Sequence, residues 1–234
     1  MSNCGLKWNR EFDCKLCPRL AESRTKIVSP TPCPPGGLLA IGEAPGAEED
    51  GIGEGFVGQA GRTLDALLCQ HGLERNRDYG VANIVRCRPD GNRKPDKTEI
   101  DNCLPWLAAF LGECMPSVLL LVGTTATEVF LGPGPLYWQI ERSRKFPVLL
   151  AKDAHPMLQP GIRALHQIGG SVLAFPMPHT SGMAWNRKSP DGRQWKAIGE
   201  DQVFLAARAY LSSKNTTPCN QTASISPSMK SSRP

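Results

Sequence analysis

Short apolar runs alternate with amphipathic segments along most of the chain. Apolar residues recur at helical spacing over 62–73, 96–111, 124–131 and 200–211, which predicts helices there. Five intervening apolar runs are candidates for buried strands, at 37–43, 79–85, 117–122, 146–150 and 171–175. Strands that alternate with helices indicate parallel βαβ units. We therefore predict an α/β fold, a three-layer α/β/α sandwich with a central, mainly parallel four-stranded sheet.

The two ends of the chain differ in character from this body. Residues 1–36 contain a Pro-rich run, which predicts an irregular segment leading into the domain. Residues 212–234 hold ten Ser or Thr and little that could be buried, so we expect a disordered tail. The predicted organisation is thus one domain over 1–211, followed by a tail over 212–234.

Composition narrows the class of protein. No run of 18 apolar residues occurs, which argues against a membrane span, and residues 1–10 lack the apolar core of a signal peptide. Nine cysteines are an odd count in a chain too large to need disulfides. We therefore expect a reducing compartment, the cytoplasm, in which the cysteines serve metal binding or packing.

The formal net charge of +5 says little about partners by itself. Three of these five charges lie in the tail, which leaves +2 for the body. Basic residues nevertheless gather over 86–97, 142–145 and 187–196, the last group near Trp185 and Trp195. Basic groups beside aromatic residues suit a nucleic-acid groove, although each group alone is more often a solvated face.

Four cysteines stand out by their spacing. Cys14 and Cys17 form a C-x2-C pair before the first strand, Cys87 follows the second strand, and Cys103 lies in a predicted helix. Such a pair with two distant cysteines can complete a Cys4 site for zinc or for an iron–sulfur cluster, and spacing does not choose between them. The alternative is an isolated C-x2-C pair with two cysteines buried in the core.

A Gly-rich loop over 42–61 follows the first predicted strand. It matches neither the dinucleotide-binding nor the P-loop pattern, and its acidic residues would repel a phosphate. A catalytic carboxylate in a tight loop is more consistent with Glu43 and Glu49. For Glu48 and Asp50 we expect a solvated acidic turn.

Other polar residues follow predicted strands in the same way. Ligands of parallel sheets bind at the carboxyl ends of the strands. Because Glu43, Asn83 and His179 each follow a strand candidate, we expect them to converge at that edge. His155 also follows a candidate strand, so position alone leaves either histidine as a functional residue.

Together these features resemble the family 4 uracil-DNA glycosylases, the iron–sulfur branch of that superfamily. The resemblance covers residues 12–132 well and residues 170–211 more loosely. The matching stretches are CKLC at 14–17, GEAPGAEEDGIGEGFVGQAGRTLDALL at 42–68, NIVRCRPDGNRKP at 83–95, Cys103 with LPWL after it, and LLLVGTTATEVFLG at 119–132.

The resemblance implies a monofunctional uracil-DNA glycosylase, which flips uracil out of DNA and hydrolyses its N-glycosidic bond to leave an abasic site. It also implies a structural 4Fe-4S cluster. The implied cluster ligands are Cys14, Cys17, Cys87 and Cys103. The implied partner is DNA containing uracil, single- or double-stranded, bound by a monomer with no membrane association.

The resemblance also assigns the site residues. Gly42 to Gly46, including Ala44, match the first active-site motif, whose acidic members are Glu43 and Glu49. Phe56 matches the aromatic residue that stacks on the flipped base, Asn83 the amide that reads its Watson–Crick edge, and His179 the histidine that stabilises the departing base. Which of Glu43 and Glu49 acts on water stays open.

The second motif departs from the family pattern. The family reads His-Pro followed by a small residue, whereas this chain reads His-Thr-Ser-Gly over 179–182, and His155-Pro156 is a competing match. We favour His179, because a predicted strand ends directly before it. The loop after it supplies candidates for a wedge that fills the gap left by the flipped base. These are Met183, Trp185 and Arg187.

Two other functions stay open from the sequence. One is a protein that binds damaged or abasic DNA with little turnover. The other is a glycosylase for another deaminated base, such as hypoxanthine. A relative that traps the abasic sugar covalently is disfavoured, because residues 87–99 contain neither its insertion nor a histidine.

Overall fold

A computed structural model describes residues 14–215, and a four-stranded parallel sheet forms its centre. The strands lie in the order β2-β1-β3-β4, and every neighbouring pair is parallel. This confirms the predicted fold class. The strands are β1 (Leu38–Gly42), β2 (Tyr79–Asn83), β3 (Val118–Val122) and β4 (Leu173–Met177).

Nine helices of the described chain surround the sheet, and two 3-10 turns lie at Asp90–Asn92 and Ala151–Asp153. The helices are α1 (Pro18–Ser23), α2 (Ala47–Ile52), α3 (Gln59–Cys69), α4 (Lys97–Cys114), α5 (Thr124–Leu131), α6 (Leu136–Lys145), α7 (Gln159–Gly169), α8 (Gly182–Trp185) and α9 (Trp195–Asn215).

The alternation of side chains along the strands divides the core into two layers. In β1, Leu39 and Ile41 pack with α4, α5 and α7, whereas Leu38 and Ala40 pack with α3 and α9. All residues of β1 and β3 are buried, as expected for central strands covered on both faces. The result is the three-layer sandwich that the sequence predicted.

A capping box starts α4, the helix that carries Cys103. The Asp96 carboxylate accepts a hydrogen bond from the Glu99 amide at 2.9 Å, and the Glu99 carboxylate accepts one from the Asp96 amide at 2.9 Å. Asp96 is therefore the N-cap. Arg93 pairs with Glu99 at 2.6 Å and supports the same turn.

The N-terminal segment is more ordered than predicted over its described part. It contains α1, and it then runs along the outer edge of β2, where Thr31 and Val81 exchange two backbone hydrogen bonds of 2.8 and 2.9 Å. The buried Asp50 carboxylate accepts from the amides of Thr25 and Lys26 at 2.9 and 3.2 Å. The segment thus covers an edge strand. The start of the predicted irregular segment, residues 1–13, lies outside the described residues.

Residues 146–150 do not form the strand that was predicted for them. They pair with β4 only at an isolated antiparallel bridge between Val148 and Leu173. Pro147 has no amide hydrogen to donate, which limits the ladder. Phe146 is 74% exposed, so this apolar run does not lie inside the sheet. The helix α6 just before it was not predicted.

The last helix extends past the predicted domain boundary. We expected the tail to begin at residue 212, but α9 continues to Asn215. Lys214 explains the extension, because its ammonium group lies 3.0 Å from Asp78 and 4.7 Å from the centre of the Tyr210 ring. The rest of the predicted disordered tail, residues 216–234, lies outside the described residues. No helix within 14–215 has the length and apolar character needed to cross a membrane.

Candidate active site

The carboxyl ends of β1 and β3 form a crevice in the middle of the sheet. The chain leaves β1 towards β2 and leaves β3 towards β4, so the two connections diverge at these neighbouring strands. Such a switch point is where open α/β sheets bind ligands. Glu43 follows β1, and one of its carboxylate oxygens accepts a short hydrogen bond from the Thr125 hydroxyl, just after β3. The other carboxylate oxygen of Glu43 accepts no hydrogen bond from the described residues.

Phe56 and Asn83 meet above the bare backbone of Gly42. Gly42, the last residue of β1, is paired with Asn83, the last residue of β2. A Cβ atom added to Gly42 would lie 2.6 Å from Asn83 Oδ1 and 2.7 Å from Phe56 Cζ. Only glycine therefore leaves room for an amide and an aromatic ring side by side. The two residues expected to bind the base are neighbours.

Glu49 has a different environment from Glu43. Its Oε1 accepts from the Gly58 amide at 2.7 Å, and its Oε2 accepts from the Gly46 amide at 3.1 Å. Both oxygens thus hold the ends of the loop that carries α2. Ala44, also expected in the site, is half-buried and packs against the core.

Glu48 and Asp50, for which we expected a solvated acidic turn, have different environments. Glu48 is exposed and pairs with Arg62 at 2.9 Å. This hydrogen bond lowers the pKa of Glu48, and a solvated acidic turn is confirmed there. For Asp50 the expectation is wrong, because its side chain is buried beneath the backbone of Thr25 and Lys26. It anchors the N-terminal segment instead.

His179 follows β4 and faces the same crevice. Its Nδ1 accepts from the Ser181 amide at 3.1 Å, so the neutral ring carries its proton on Nε2. Burial lowers the pKa of His179, while Glu43 and Glu49 act in the opposite direction. A Cβ atom added to Gly123, at the end of β3, would lie 3.6 Å from His179 Cδ2. The imidazole therefore lies against the end of β3.

His155, the competing histidine, has other neighbours. Its Nε2 lies 3.2 Å from Asp101 on α4, and its Nδ1 accepts from the Met157 amide at 3.4 Å. Its own amide donates to Val129 on α5. Among the hydrogen bonds and ion pairs of residues 14–215, none joins His155 to Glu43 or Asn83.

The three residues predicted to form a wedge do not share one environment. Met183 is 82% exposed on α8, and Arg187 is exposed just after it. Trp185 is buried in the core with β4 and α9, and a Cβ atom added to Gly199 would lie 2.7 Å from its ring. The structure therefore contradicts the wedge role of Trp185, because α9 covers the ring. Met183 and Arg187 stay as candidates.

This arrangement agrees with comparisons to known proteins. The family model for the uracil DNA glycosylase superfamily matches residues 33–201. The chain belongs to the uracil DNA glycosylase superfamily. The match includes Gly42, Glu43, Phe56, Asn83 and His179, but begins after Cys14 and Cys17.

Type-4 uracil-DNA glycosylases are among the most similar relatives. The protein from Sulfurisphaera tokodaii is 35% identical over 135 residues, which cover 57% of this chain and 60% of the relative. The protein from Pyrobaculum aerophilum is 38% identical over 95 residues, which cover 41% of this chain and 48% of the relative. These similarities confirm the resemblance to family 4. The aligned part spans about half to three-fifths of these curated relatives.

The four cysteines expected from family 4 lie near one another. Burial raises the pKa of Cys17 and Cys87, and that of Cys103 to about 12. The neighbouring thiols add to this effect, since Cys14 acts on both Cys17 and Cys87, and these two act on Cys103. The fold therefore brings together thiols from the N-terminal segment, from the region after β2 and from α4.

Hydrogen-bond donors surround the sulfur atoms. Each of three sulfurs has an N–H donor at 3.4 Å: Arg24 Nη1 for Cys87, the Arg86 amide for Cys103 and Asn102 Nδ2 for Cys17. Donors of this kind stabilise thiolates that bind metal. Within 14–215, however, no three His, Cys, Asp or Glu side chains are close enough to hold a single metal ion.

The groups of basic residues are largely neutralised by neighbouring acids. Arg187 and Lys188 are exposed and form no ion pair with another described residue. The surface charge thus gives less support to a broad nucleic-acid groove than the sequence suggested. The ion pairs are Arg93–Glu99, Lys94–Glu128, Lys97–Asp101, Arg142–Asp153, Arg144–Asp201 and Arg193–Asp191.

Several residues near the site were missed by the sequence analysis. Thr125 binds Glu43, and its place three positions beyond the end of β3, at the switch point, is a signal that could have identified it. Arg24 and Asn102, which donate to cysteine sulfurs, carry no such signal. Their roles depend on contacts between distant segments.

Proposed function

We propose that the protein hydrolyses the N-glycosidic bond of uracil in DNA and leaves an abasic site. The observation that carries this proposal is the meeting of Phe56 and Asn83 over Gly42, beside Glu43 and His179 at the switch-point crevice. The superfamily to which the chain belongs supports the same reaction, and so do the relatives named as type-4 uracil-DNA glycosylases.

Recognition of the base follows from the pair of side chains above Gly42. A base inside a duplex is out of reach, so the nucleotide must be flipped into the pocket. Phe56 offers a ring on which the flipped base stacks. Asn83 offers an acceptor to uracil N3–H and a donor to O4, whereas cytosine has the opposite arrangement at these two positions.

Cleavage separates charge along the glycosidic bond. The bond between C1′ and N1 breaks, its electron pair leaves with the uracil, and a water oxygen bonds to C1′ and gives up a proton, which in the overall reaction neutralises the uracil anion. The Nε2–H group of His179 donates to uracil O2, where negative charge develops. A neutral imidazole suits this role, since burial lowers the pKa of His179.

Glu43, rather than Glu49, is the carboxylate that acts on water or on the positive sugar. Thr125 holds one oxygen of Glu43 and leaves the other for a ligand. Both oxygens of Glu49 are occupied by backbone amides, which supports a role in shaping the loop. Thr125 and Glu49 are therefore positioning residues in this mechanism.

The loop after His179 contacts the DNA beyond the flipped base. Met183 is the apolar side chain that enters the gap in the stack, and Arg187 binds a nearby phosphate. The substrate is uracil-containing DNA, either single- or double-stranded. The monomeric state and cytoplasmic location stay predictions.

We assign a 4Fe-4S cluster to the four cysteines. Four neighbouring thiols are the ligand set of such a cluster, and N–H donors on three of the sulfurs suit bound thiolates. Four thiols also suit zinc, and the choice of the cluster follows the resemblance to family 4. Cys14, Cys17, Cys87 and Cys103 would hold the cluster, which would tie the N-terminal segment to α4.

Metal analysis tests this assignment. Protein purified without oxygen should be brown and contain about four iron and four sulfide per chain, the composition of one such cluster. Replacement of any one of Cys14, Cys17, Cys87 or Cys103 by Ser should abolish the colour. Cys69→Ser is the matched control, because Cys69 is exposed on α3. Stoichiometric zinc without iron or sulfide would contradict the assignment.

An oligonucleotide assay tests the proposed reaction. A labelled strand with one uracil, alone or opposite guanine, is incubated with the protein and then cleaved with alkali at abasic sites. We expect scission at the uracil, none with cytosine at that position, and scission that is slower by about a hundredfold or more with Glu43→Gln. The protein is produced in a host without its own uracil-DNA glycosylase. Tight binding of abasic DNA without scission would instead support the binding protein, and release of hypoxanthine alone would support the glycosylase for that base.

A further inference from the structure

Phe56 has a backbone conformation that aromatic residues seldom adopt. Its φ angle is 58°, in the left-handed region that favours glycine. A bulky residue stays in this region only where the surrounding structure holds it. The conformation sets the direction of the ring that meets Asn83 above Gly42. Whatever holds the backbone of Phe56 therefore also places the ring.

Arg75 binds the backbone on both sides of this conformation. From the connection between α3 and β2, its Nη1 donates to the Gly55 carbonyl at 2.9 Å and its Nη2 to the Phe56 carbonyl at 2.7 Å. Beneath the same carbonyl, a Cβ atom added to Gly61 would lie 2.0 Å from the Phe56 oxygen. The Phe56 carbonyl is thus bound by a cation and packed closely against the bare backbone of Gly61 on α3.

Arg75 is itself fixed by two partners. Its Nη2 lies 2.8 and 3.0 Å from the two oxygens of Asp65 on α3. The hydroxyl of Tyr79, the first residue of β2, donates to Asp65 at 2.7 Å. Tyr79 is buried, and burial together with Asp65 raises its pKa, so the hydroxyl keeps its proton. The Arg75 side chain is only 20% exposed, and these hydrogen bonds hold its guanidinium in one orientation.

We propose that Arg75 is a positioning residue that locks the Gly55–Phe56 backbone and thereby presents the Phe56 ring to the flipped base. Asp65 and Tyr79 orient Arg75 for this task. The proposal rests on the function proposed above, because it assigns Phe56 to the base pocket. The planar guanidinium of arginine donates to two carbonyls and a carboxylate at once. The compact ammonium group of lysine cannot reproduce this geometry.

The test compares Arg75→Lys with Arg77→Lys. Arg77 lies in the same connection, but its guanidinium binds Glu74, Asp78 and the Gly72 carbonyl and no residue of the 55–58 turn. Hydrogen exchange of the backbone amides in residues 53–61 is measured for both variants. We expect exchange to become at least about tenfold faster in Arg75→Lys and to stay unchanged in Arg77→Lys. Unchanged exchange in Arg75→Lys would overturn the proposal.

Kinetics then separate positioning from general damage. Stacking of one base on an aromatic ring corresponds to roughly a tenfold change or more in affinity, so kcat/KM for uracil release should fall about tenfold in Arg75→Lys. In a Phe56→Ala background, the same substitution should change kcat/KM by less than twofold, because the ring it positions is gone. Equal losses in the two backgrounds would overturn the proposal.

Tyr79→Phe is a milder way to disturb the orientation of Arg75. Tyr79→Phe removes only the hydroxyl that orients Asp65, and it should give the same pattern with a loss of about threefold. It serves as the test if Arg75→Lys does not fold. The unmodified protein could release no uracil while Arg75→Lys still speeds amide exchange in residues 53–61. That result would support the hold of Arg75 on the Gly55–Phe56 backbone and would overturn the uracil function.

Discussion

The two loops that carry the site differ in how they are held. The loop between β1 and α3 is fixed by charged groups along its length, with Glu49 on the amides of Gly46 and Gly58 and Arg75 on the carbonyls of Gly55 and Phe56. The loop after β4 is anchored from below, by Thr180 on the Ala60 carbonyl and by the buried ring of Trp185. Above these anchors, Met183 and Arg187 are exposed.

This difference matches two tasks in the proposed reaction. A pocket that discriminates one base from another needs groups placed before the base arrives, and a loop whose backbone is held by side chains at several points provides them. A wedge must enter a stack of bases that varies in sequence and pairing, and exposed side chains on a short helix suit that task. Preorganisation is concentrated at the first loop and the switch point.

The largest expected effect distinguishes the role of Glu43 from that of Glu49. Glu43→Gln should lower the single-turnover rate of uracil release by about 10²–10⁴-fold, with little change in stability, because it removes the charge that acts at the sugar. Glu49→Gln should instead lower the free energy of unfolding by about 1–3 kcal/mol, since one of the two oxygens becomes an NH2 group and either the Gly46 amide or the Gly58 amide loses its acceptor. Rates and urea unfolding of both variants check this. The reverse pattern would exchange the two roles.

The second expected effect concerns the histidine at the base of the second loop. His179→Ala should slow uracil release by about 10²–10³-fold, equally on single- and double-stranded DNA, because its hydrogen bond stabilises the leaving base after flipping. His155→Ala, which loses a partner of Asp101, is the control and should retain nearly full activity. A large loss in His155→Ala with a near-normal His179→Ala would show that the catalytic histidine was misassigned.

The pH dependence sharpens the same assignment. Burial lowers the pKa of His179 below the value of about 6.5 expected when unfolded. The neutral form is therefore present throughout pH 7–9, and the single-turnover rate should change less than about twofold over this range. Below pH 6.5 the unfolded chain binds a proton at this histidine more readily than the folded chain does. The contribution of neutral, buried His179 to the free energy of unfolding is therefore lost as the pH falls through its folded pKa. A rate that drops about tenfold per unit above pH 7 would indicate a required imidazolium.

The smallest effect on rate is expected at the exposed part of the second loop. Met183→Ala should slow release of paired uracil by about three- to tenfold more than release of single-stranded uracil, because only the duplex must be unstacked and unpaired. Trp185→Ala should instead cost about 3–5 kcal/mol of stability, as expected for a buried aromatic ring. Single-turnover rates on both substrates and thermal unfolding distinguish the two. Equal slowing by Met183→Ala on both substrates would remove the wedge from this loop.

Residue patterns alone determined the four strands of the sheet, the layers and the position of the Gly-rich loop, but they also predicted a strand over 146–150 that does not form. The burial of β1 and β3 on both faces produces continuous apolar runs, and Asp96 with Glu99 forms a local cap, so these features are visible in the order of residues. The convergence of Glu43, Asn83 and His179 follows from their positions after parallel strands. The family resemblance then supplied roles for Phe56 and the four cysteines, which spacing alone left open.

Only the tertiary structure decided the features that depend on partners distant in the chain. Whether Trp185 is core or wedge depends on α9, which begins ten residues later and covers the ring. The separation of Glu43 from Glu49 depends on Thr125 and Gly58, and the grip on Phe56 depends on Arg75. In each case the residue type allows both roles. Burial and hydrogen bonding, which arise only when the segments pack together, select one of them.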